Sequence, residues 1–235
     1  MVSTLLTGLI SFWNLTANNT DQGGGNVGTD TAISYTTPVL GRANLDGATS
    51  KIVLTTAIAM PADLTIVALI KMAAGFGNSI VFGDSDVSAA SWYIFRVSSD
   101  GRLFFGWAKS GVGNAQYATT DVVIGDTNDH IIKVTQSGIS APVFYVDNVS
   151  VAVSLLGGDP NFAKPAAQGS AIGAFGALGT QNFNGALKYV GIFSKVLSTE
   201  ERAEYYNGGN GKAWPFSPIA LNLFTKQAVK RAAYV

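Results

Sequence analysis

The stretch from Phe183 to Gly208, FNGALKYVGIFSKVLSTEERAEYYNG, places a strand signal, a turn and a capped short helix in one run. Leu187, Tyr189, Gly191 and Phe193 alternate with Lys188, Val190, Ile192 and Ser194, the period-two pattern of a strand with at least one buried face. Ser198 stands three residues ahead of Glu201, the spacing of a capping box. In that box the serine hydroxyl accepts from the Glu201 amide while the Glu201 carboxylate reaches back to the Ser198 amide. Gly208 or Gly209 offers the stop, so a closing strand is expected to feed a helix of about one and a half turns.

Outward from this run, Leu5 to Phe193 consists of short apolar or alternating segments separated by Gly, Asn, Asp and Ser clusters, an all-β pattern without sustained helical periodicity. The clearest hairpin pairs Trp92–Val97 with Arg102–Trp107 across Ser98-Ser99-Asp100-Gly101, where Gly101 can take the left-handed conformation the turn requires. A second pairs Val143–Val146 with Val149–Val153 across Asp147-Asn148, asparagine being the residue next most tolerant of positive φ after glycine. Alternation puts Tyr93, Phe95 and Val97 on one face and Trp92, Ile94 and Arg96 on the other. Both faces are partly apolar, as in a central strand of a sandwich whose outer face is also covered or used. Residues 155–169 and 173–179 read as long connections at a rim.

Several of these segments, in this order, resemble the laminin G-like and concanavalin A-like sandwich family. GLISFWNL (Gly8 to Leu15) is similar to its first strand, Asp21 with Gly23 to Gly25 to its acidic glycine-rich loop, and LDGATSKIVL (Leu45 to Leu54) to the strand opened by an aspartate-glycine turn. DLTIVALIKM (Asp63 to Met72) resembles the buried strand that ends in a basic residue. SSDGRLFFGW (Ser98 to Trp107), DHIIKVT (Asp129 to Thr135) and FYVDNVSVAV (Phe144 to Val153) resemble the central hairpins, and Phe183 to Ser198 the closing strand. The resemblance spans residues 5 to 208. It implies an all-β jelly-roll sandwich of two antiparallel sheets with one short C-terminal helix. Two departures stand out: Lys188 and Tyr189 occupy the place of an acidic pair in the closing strand, and Asp129 replaces the tryptophan before His130. The family's acidic site is therefore not carried over.

A chain of 235 residues can bury about 70–75% of its unfolded surface, enough for a core without covalent staples. None is available in the form of disulfides or thiolate metal sites, because there is no cysteine. Charged residues are only 13% of the chain and glycines number 27, which suits many turns and a neutral polar surface. The zero net charge is unevenly spread. Residues 1 to 204 hold 11 basic and 15 acidic residues, a balance of −4, whereas residues 205 to 235 hold Lys212, Lys226, Lys230 and Arg231 and no acid. A body without a clustered basic stripe argues against nucleic acid as a partner. No apolar run approaches the ~20 residues of a membrane span, and the apolar start, MVSTLLTGLISFW, reads as a first strand rather than a signal peptide because it lacks a basic n-region.

Composition changes after Gly211, so the expected division is a jelly-roll domain over 1–211 and a C-terminal arm over 212–235. Trp214-Pro215-Phe216-Ser217-Pro218 cannot be helical throughout. The arm offers Trp214, Phe216, Leu221 and Phe224 as apolar anchors and Lys226, Lys230 and Arg231 as late charges for docking on a neighbour. The alternative is a tail that packs back on its own domain. As a docking arm, its deletion should abolish assembly and leave the thermal transition nearly unchanged.

Catalysis is disfavoured by the placement of the carboxylates. Glycosidases flank the scissile bond with two of them, but Glu200, Glu201 and Glu204 all lie in the terminal helix, and no Asp-X-Asp pair sits in a strand. His130 is the only histidine and reads as a structural hydrogen-bonding residue at the start of a strand, with no Gly-X-Ser-X-Gly elbow to serve. Asp84 with Asp86, or Asp126 with Asp129, offers hard oxygen ligands for calcium, although aspartates are also ordinary turn formers; no metal or other cofactor is expected. The small-ligand candidate is a sugar. Trp92, Trp107 and Tyr117 would supply the stacking platform, and Asn114, with Lys109 and Gln116 nearby, the polar groups. The opposing reading makes the tryptophans core or sheet-covering residues.

These features lead to a non-enzymatic structural or adhesive virion protein, such as a bacteriophage capsid decoration, head-fibre or tail component. It would display a lectin-like domain, with other virion proteins or further copies of itself as partners and cell-surface glycans as ligands. The virion context draws on the start at Met1, the lack of an export signal and the basic apolar arm. A bacterial, extracellular carbohydrate-binding module is the alternative, and a polysaccharide hydrolase or lyase the third reading.

Overall fold

The computed structural model describes residues 3–36, 41–85, 90–176 and 179–216. The strands are β1 (Leu9–Trp13), β2 (Gly28–Thr31), β3 (Ser34–Tyr35), β4 (Ala43–Asp46), β5 (Lys51–Leu54), β6 (Leu64–Met72), β7 (Ser79–Ser85) and β8 (Ser91–Val97). They continue with β9 (Leu103–Lys109), β10 (Gly113–Thr119), β11 (Asp129–Gln136), β12 (Val143–Val146), β13 (Val149–Val151), β14 (Val153–Gly158), β15 (Ser170–Ile172) and β16 (Asn184–Phe193). Among the described residues one α-helix, α1 (Thr199–Tyr206), follows.

All strand pairs are antiparallel and form two sheets. The first has the order β13-β12-β11-β6-β16-β4-β3, with β1 also on β16, and the second β14-β10-β9-β8-β7-β15-β5-β2. The chain passes from the first sheet to the second between β13 and β14, at Ala152, so the strand continues to Gly158 through residues expected to be loop. Between the sheets lies the main core, including Trp13, Ile66, Ile70, Phe82, Phe95, Phe105, Trp107 and Ile132. This is the jelly-roll sandwich the sequence leads one to expect.

Each sheet also has an apolar outer layer. On the first, Phe12, Val67, Leu69, Ile131 and Phe193 are covered by Leu197, Tyr205 and Phe216. Covering on both faces explains why β6 reads as an almost continuous apolar run rather than an alternation. Outside the second sheet, Ile80, Ile94, Phe104 and Ala118 are joined by Phe175 from the connection at 173–176, with Trp92 at the margin.

The turns follow their residues. Gly101 has φ +80°, and an added Cβ would lie 2.2 Å from the Ile124 carbonyl oxygen, so the β8–β9 hairpin needs glycine there. Asp147 and Asn148 take φ +48° and +68° in the two-residue turn between β12 and β13. At α1 both halves of the capping box form, with Glu201 N–H donating to Ser198 Oγ (3.3 Å) and Ser198 N–H to Glu201 Oε2 (3.0 Å). The helix ends on Asn207, itself left-handed, one residue before the expected glycine stop.

One alternation fails. Leu187, Val190 and Ile192 enter the core while Phe193 joins the outer layer, because a β-bulge between Lys188 and Gly191 shifts the phase of β16. The division at residue 211 also differs from the packing. Phe216 is only 3% exposed, with its ring edge-on to Phe12 (centroids 4.8 Å) and Trp214 (5.2 Å). Trp214 is tied by its backbone to the Asn14 side chain through two hydrogen bonds, and Lys212 pairs with Glu204. Residues 212–216 thus belong to the body. Leu221, Phe224, Lys226, Lys230 and Arg231 lie outside the described residues.

Candidate functional site

The candidate sugar residues are sorted by strand parity. In register, Trp92 of β8 pairs with Ala108 of β9, and Ala108 with Asn114 of β10. The three side chains therefore form one row on the outer face of the second sheet. The next position along each strand points inward: Tyr93, Trp107 and Ala115 are all in the core.

A three-residue turn, Ser110-Gly111-Val112, links β9 to β10, with the Val112 N–H donating to the Lys109 carbonyl (3.0 Å). This turn stands over the end of the row. Together they enclose an open hollow of about 470 Å³ lined by Trp92, Ala108, Asn114 and residues 109–113. Trp92 and Asn114 are two strands apart, about 10 Å at the usual interstrand spacing, and Ala108 between them is small. A sugar ring has room to stack on the indole above the alanine, while the Asn114 amide, its Oδ1 on the side of Gly158 in β14, stands at the far end of the row. The Trp92 ring is braced by the edge of Phe175 (centroids 6.0 Å, 75°). Gln116 lies near Asn114, its Nε2 donating to Asn114 Oδ1 at 3.4 Å. A second hollow of about 350 Å³, lined by Phe162, Lys164, Pro165 and Gln168, adjoins the first and shares Lys109 and Val112 with it.

Trp107 and Tyr117 do not belong to this site. Both are buried, at 0% and 2% exposed, and stacked on each other (6.1 Å, 30°), and the Trp107 indole N–H donates to the Phe162 carbonyl (2.8 Å). Their faces are spent on the core and offer nothing to a ligand.

Asp84 is likewise closed off. Its carboxylate accepts from Gln168 N–H (2.8 Å), Gly169 N–H (3.1 Å) and Ser170 Oγ (2.8 Å), and the residue is fully buried. Burial pushes its pKa up against the pull of these hydrogen bonds. It pins the 168–170 segment to β7 and has no free oxygen at a rim. Asp86 lies outside the described residues, and no group of three metal-ligating side chains occurs among the described ones. Asp126 is engaged by Asn128 and His130, and Asp129 by Arg42.

His130 bridges two turns, as a structural histidine should: Nδ1 lies 2.7 Å from Asp147 Oδ2 and Nε2 3.0 Å from Asp126 Oδ1. Burial alone would lower its pKa, but the hydrogen bonds to Asp147 and Asp126 and their charges outweigh it and hold the imidazolium above its usual range. A raised pKa means that the stabilisation is fully present below the unfolded value of about 6.5 and is lost as pH rises through the folded value. The thermal midpoint of the wild-type chain is therefore expected to fall on going from about pH 6 to above the folded pKa, and that of His130→Gln to fall less. Calorimetric scans across this range check it; parallel curves would remove the role.

The described part of the molecule thus defines a lectin-type sandwich with an aromatic hollow on one sheet. The chain belongs to the concanavalin A-like lectin/glucanases superfamily, whose family model matches residues 46–201. No curated protein sequence matches it. Among solved structures, domain 4 of AbnA, a GH43 extracellular arabinanase from Geobacillus stearothermophilus in complex with arabinotriose, superposes with a TM-score of 0.66 at 16% identity. The match covers 83% of this chain and 97% of that one. The binding domain of botulinum neurotoxin DC in complex with SialylT superposes with a TM-score of 0.64 at 10% identity over 87% of this chain. A botulinum neurotoxin type C structure, described by its dependence on two ganglioside molecules for cell entry, does so with a TM-score of 0.65 at 10% identity over 86% of this chain. The present chain spans about half the length of these neurotoxin chains, 52% and 51%.

Proposed function

We propose that the chain is a non-catalytic adhesive module that binds a saccharide over Trp92. The observation that carries this reading is the row Trp92-Ala108-Asn114, which sets a partly exposed indole beside an alanine floor, with an amide further along the same face of a three-strand platform. Two solved structures of the same fold, the arabinanase domain with arabinotriose and the toxin domain with SialylT, support a saccharide as the ligand class.

The positions of the carboxylates support a binding rather than a hydrolytic role. Glu201 serves the helix cap and Lys195, Glu200 bonds Ser198, and Glu204 pairs with Lys212, all at α1 on the other sheet. No carboxylate is among the described residues lining the Trp92 hollow, where glycoside hydrolysis would call for two.

The setting we propose is a virion, most simply that of a bacteriophage, with the module as a decoration, head-fibre or tail component held by other virion proteins or by further copies of itself. The charge asymmetry favours this over a free extracellular binding module: a body (residues 1–216) with 12 basic and 15 acidic residues is followed by a segment that holds Lys226, Lys230 and Arg231 and no acid, suited to an acidic docking surface.

A glycan array probed with the full chain tests the binding claim. Wild type is expected to retain one glycan class, and Trp92→Ala to weaken it by about 1–3 kcal/mol, roughly fivefold to 150-fold, as loss of one stacking platform predicts. Binding unaffected by Trp92→Ala would place the ligand elsewhere.

A further inference from the structure

The first sheet carries a hollow of its own, about 270 Å³, bordered by Arg42, Asp129, Lys188, Tyr189, Asn207 and Asn210. It opens on the outer face, so the two sheets and the core separate it from Trp92. The bulge in β16 builds it. Neighbouring residues of a regular strand point to opposite faces, yet Leu187 and Val190 both enter the core, which leaves Lys188 and Tyr189 together on the outside. Tyr189 takes φ +53°, its N–H donating to the Asn14 carbonyl (3.2 Å) and its carbonyl accepting from the Tyr205 hydroxyl. The Lys188 ammonium then lies 4.5 Å from the Tyr189 ring centroid.

The charges around this hollow do not cancel. Arg42 reaches over β16 and β6 to Asp129, and the guanidinium engages both carboxylate oxygens. That leaves half-buried Lys188 with an aromatic ring and, among the described residues, no carboxylate within ion-pair distance. Lys71, directly opposite Asp129 in the ladder and on the same face, adds a further positive charge. The patch is locally positive on a stretch of chain, residues 1–204, whose net charge is −4.

We propose that this hollow binds an acidic sugar residue, a uronic or sialic acid unit of a glycan. Lys188 takes its carboxylate, while Asp129 and the amides of Asn207 and Asn210 take its hydroxyls. A compact polyanion such as phosphate is a poorer fit, because the guanidinium is already committed and the Asp129 carboxylate repels phosphate yet accepts hydrogen bonds from hydroxyls. The size, below the ~300–1,000 Å³ of sites for drug-sized ligands, suits one residue of a chain.

Calorimetric titration of the full chain with sialyllactose and with trigalacturonate, against lactose and galactotriose as uncharged counterparts, tests the assignment. The acidic ligands are expected to bind, with Lys188→Gln weakening them by about tenfold or more and Lys188→Arg retaining most of the affinity. Trp92→Ala should leave this binding unchanged, so failure of the Trp92 hollow and failure of this one are distinguishable. Amide shifts of the wild-type chain should move at Lys188 and at Gly209 to Gly211. The proposal is overturned if neither acidic ligand binds, if Lys188→Gln binds them as wild type does, if Trp92→Ala removes the binding, or if the wild-type shifts move elsewhere.

Discussion

Trp107→Ala should lower the stability of the chain by about 3–5 kcal/mol, the range for removing a fully buried tryptophan. Its indole is 0% exposed, packed on Phe105 and Tyr117 and hydrogen-bonded to the Phe162 carbonyl. Truncation therefore opens a cavity beneath β9 and also orphans a carbonyl on the segment that lines the neighbouring hollow. Trp92→Ala, where only part of the ring is packed, should cost no more than about 2 kcal/mol. Urea unfolding of the pair separates the two roles. Equal losses would mean that Trp92 is as deeply packed as Trp107 and that its ring is not available to a ligand. Loss of sugar binding in the Trp107 variant would carry no information about the site unless the variant is shown to be folded.

A chain ending at Gly211 should be less stable than one ending at Phe216 by about 3–5 kcal/mol, comparable to removing a buried phenylalanine. The lost contacts are the edge-on packing of Phe216 with Phe12, the Trp214 bonds to Asn14 and the Lys212–Glu204 pair. The chain ending at Phe216 should melt like the full chain and differ from it only in assembly, if residues 217–235 are the docking segment. Thermal scans with light scattering on the three chains read both effects. A Gly211 chain as stable as the full one would remove the packing role of residues 212–216, and a Phe216 chain that assembles like the full one would remove the arm from the account of the virion.

Local chemistry made much of this fold readable. The Ser198 and Glu201 cap, the Gly101 turn, the Asp147-Asn148 turn and the two faces of β8 each depend on residues within a few positions of one another, and each has the expected geometry. The bulge in β16 was not readable, because the extra residue is fixed by Asn14 and Tyr205, which come from β1's end and from α1. Closeness in sequence groups Trp107 and Tyr117 with Trp92. Strand parity would have separated them, since Trp92 and Asn114 fall in one row and Trp107 opposes Tyr93. Asp84 resembles a turn ligand until the 168–170 segment, more than eighty residues away, closes over it. The packing of Phe216 on Phe12 spans nearly the whole chain in the same way. What escaped the sequence was long-range closure, which leaves no periodic trace.

The central claim is that this sandwich holds a saccharide without cutting it. Native affinity electrophoresis of the full chain in gels containing the array-selected polysaccharide, paired with chromatography of that polysaccharide after prolonged incubation with the same protein, tests both halves at once. The account predicts retardation that Trp92→Ala reduces, and a polysaccharide whose chain length is unchanged. Shortened products would contradict it by showing catalysis, and unretarded migration of the wild-type chain would contradict it by showing that the hollow at Trp92 holds no sugar.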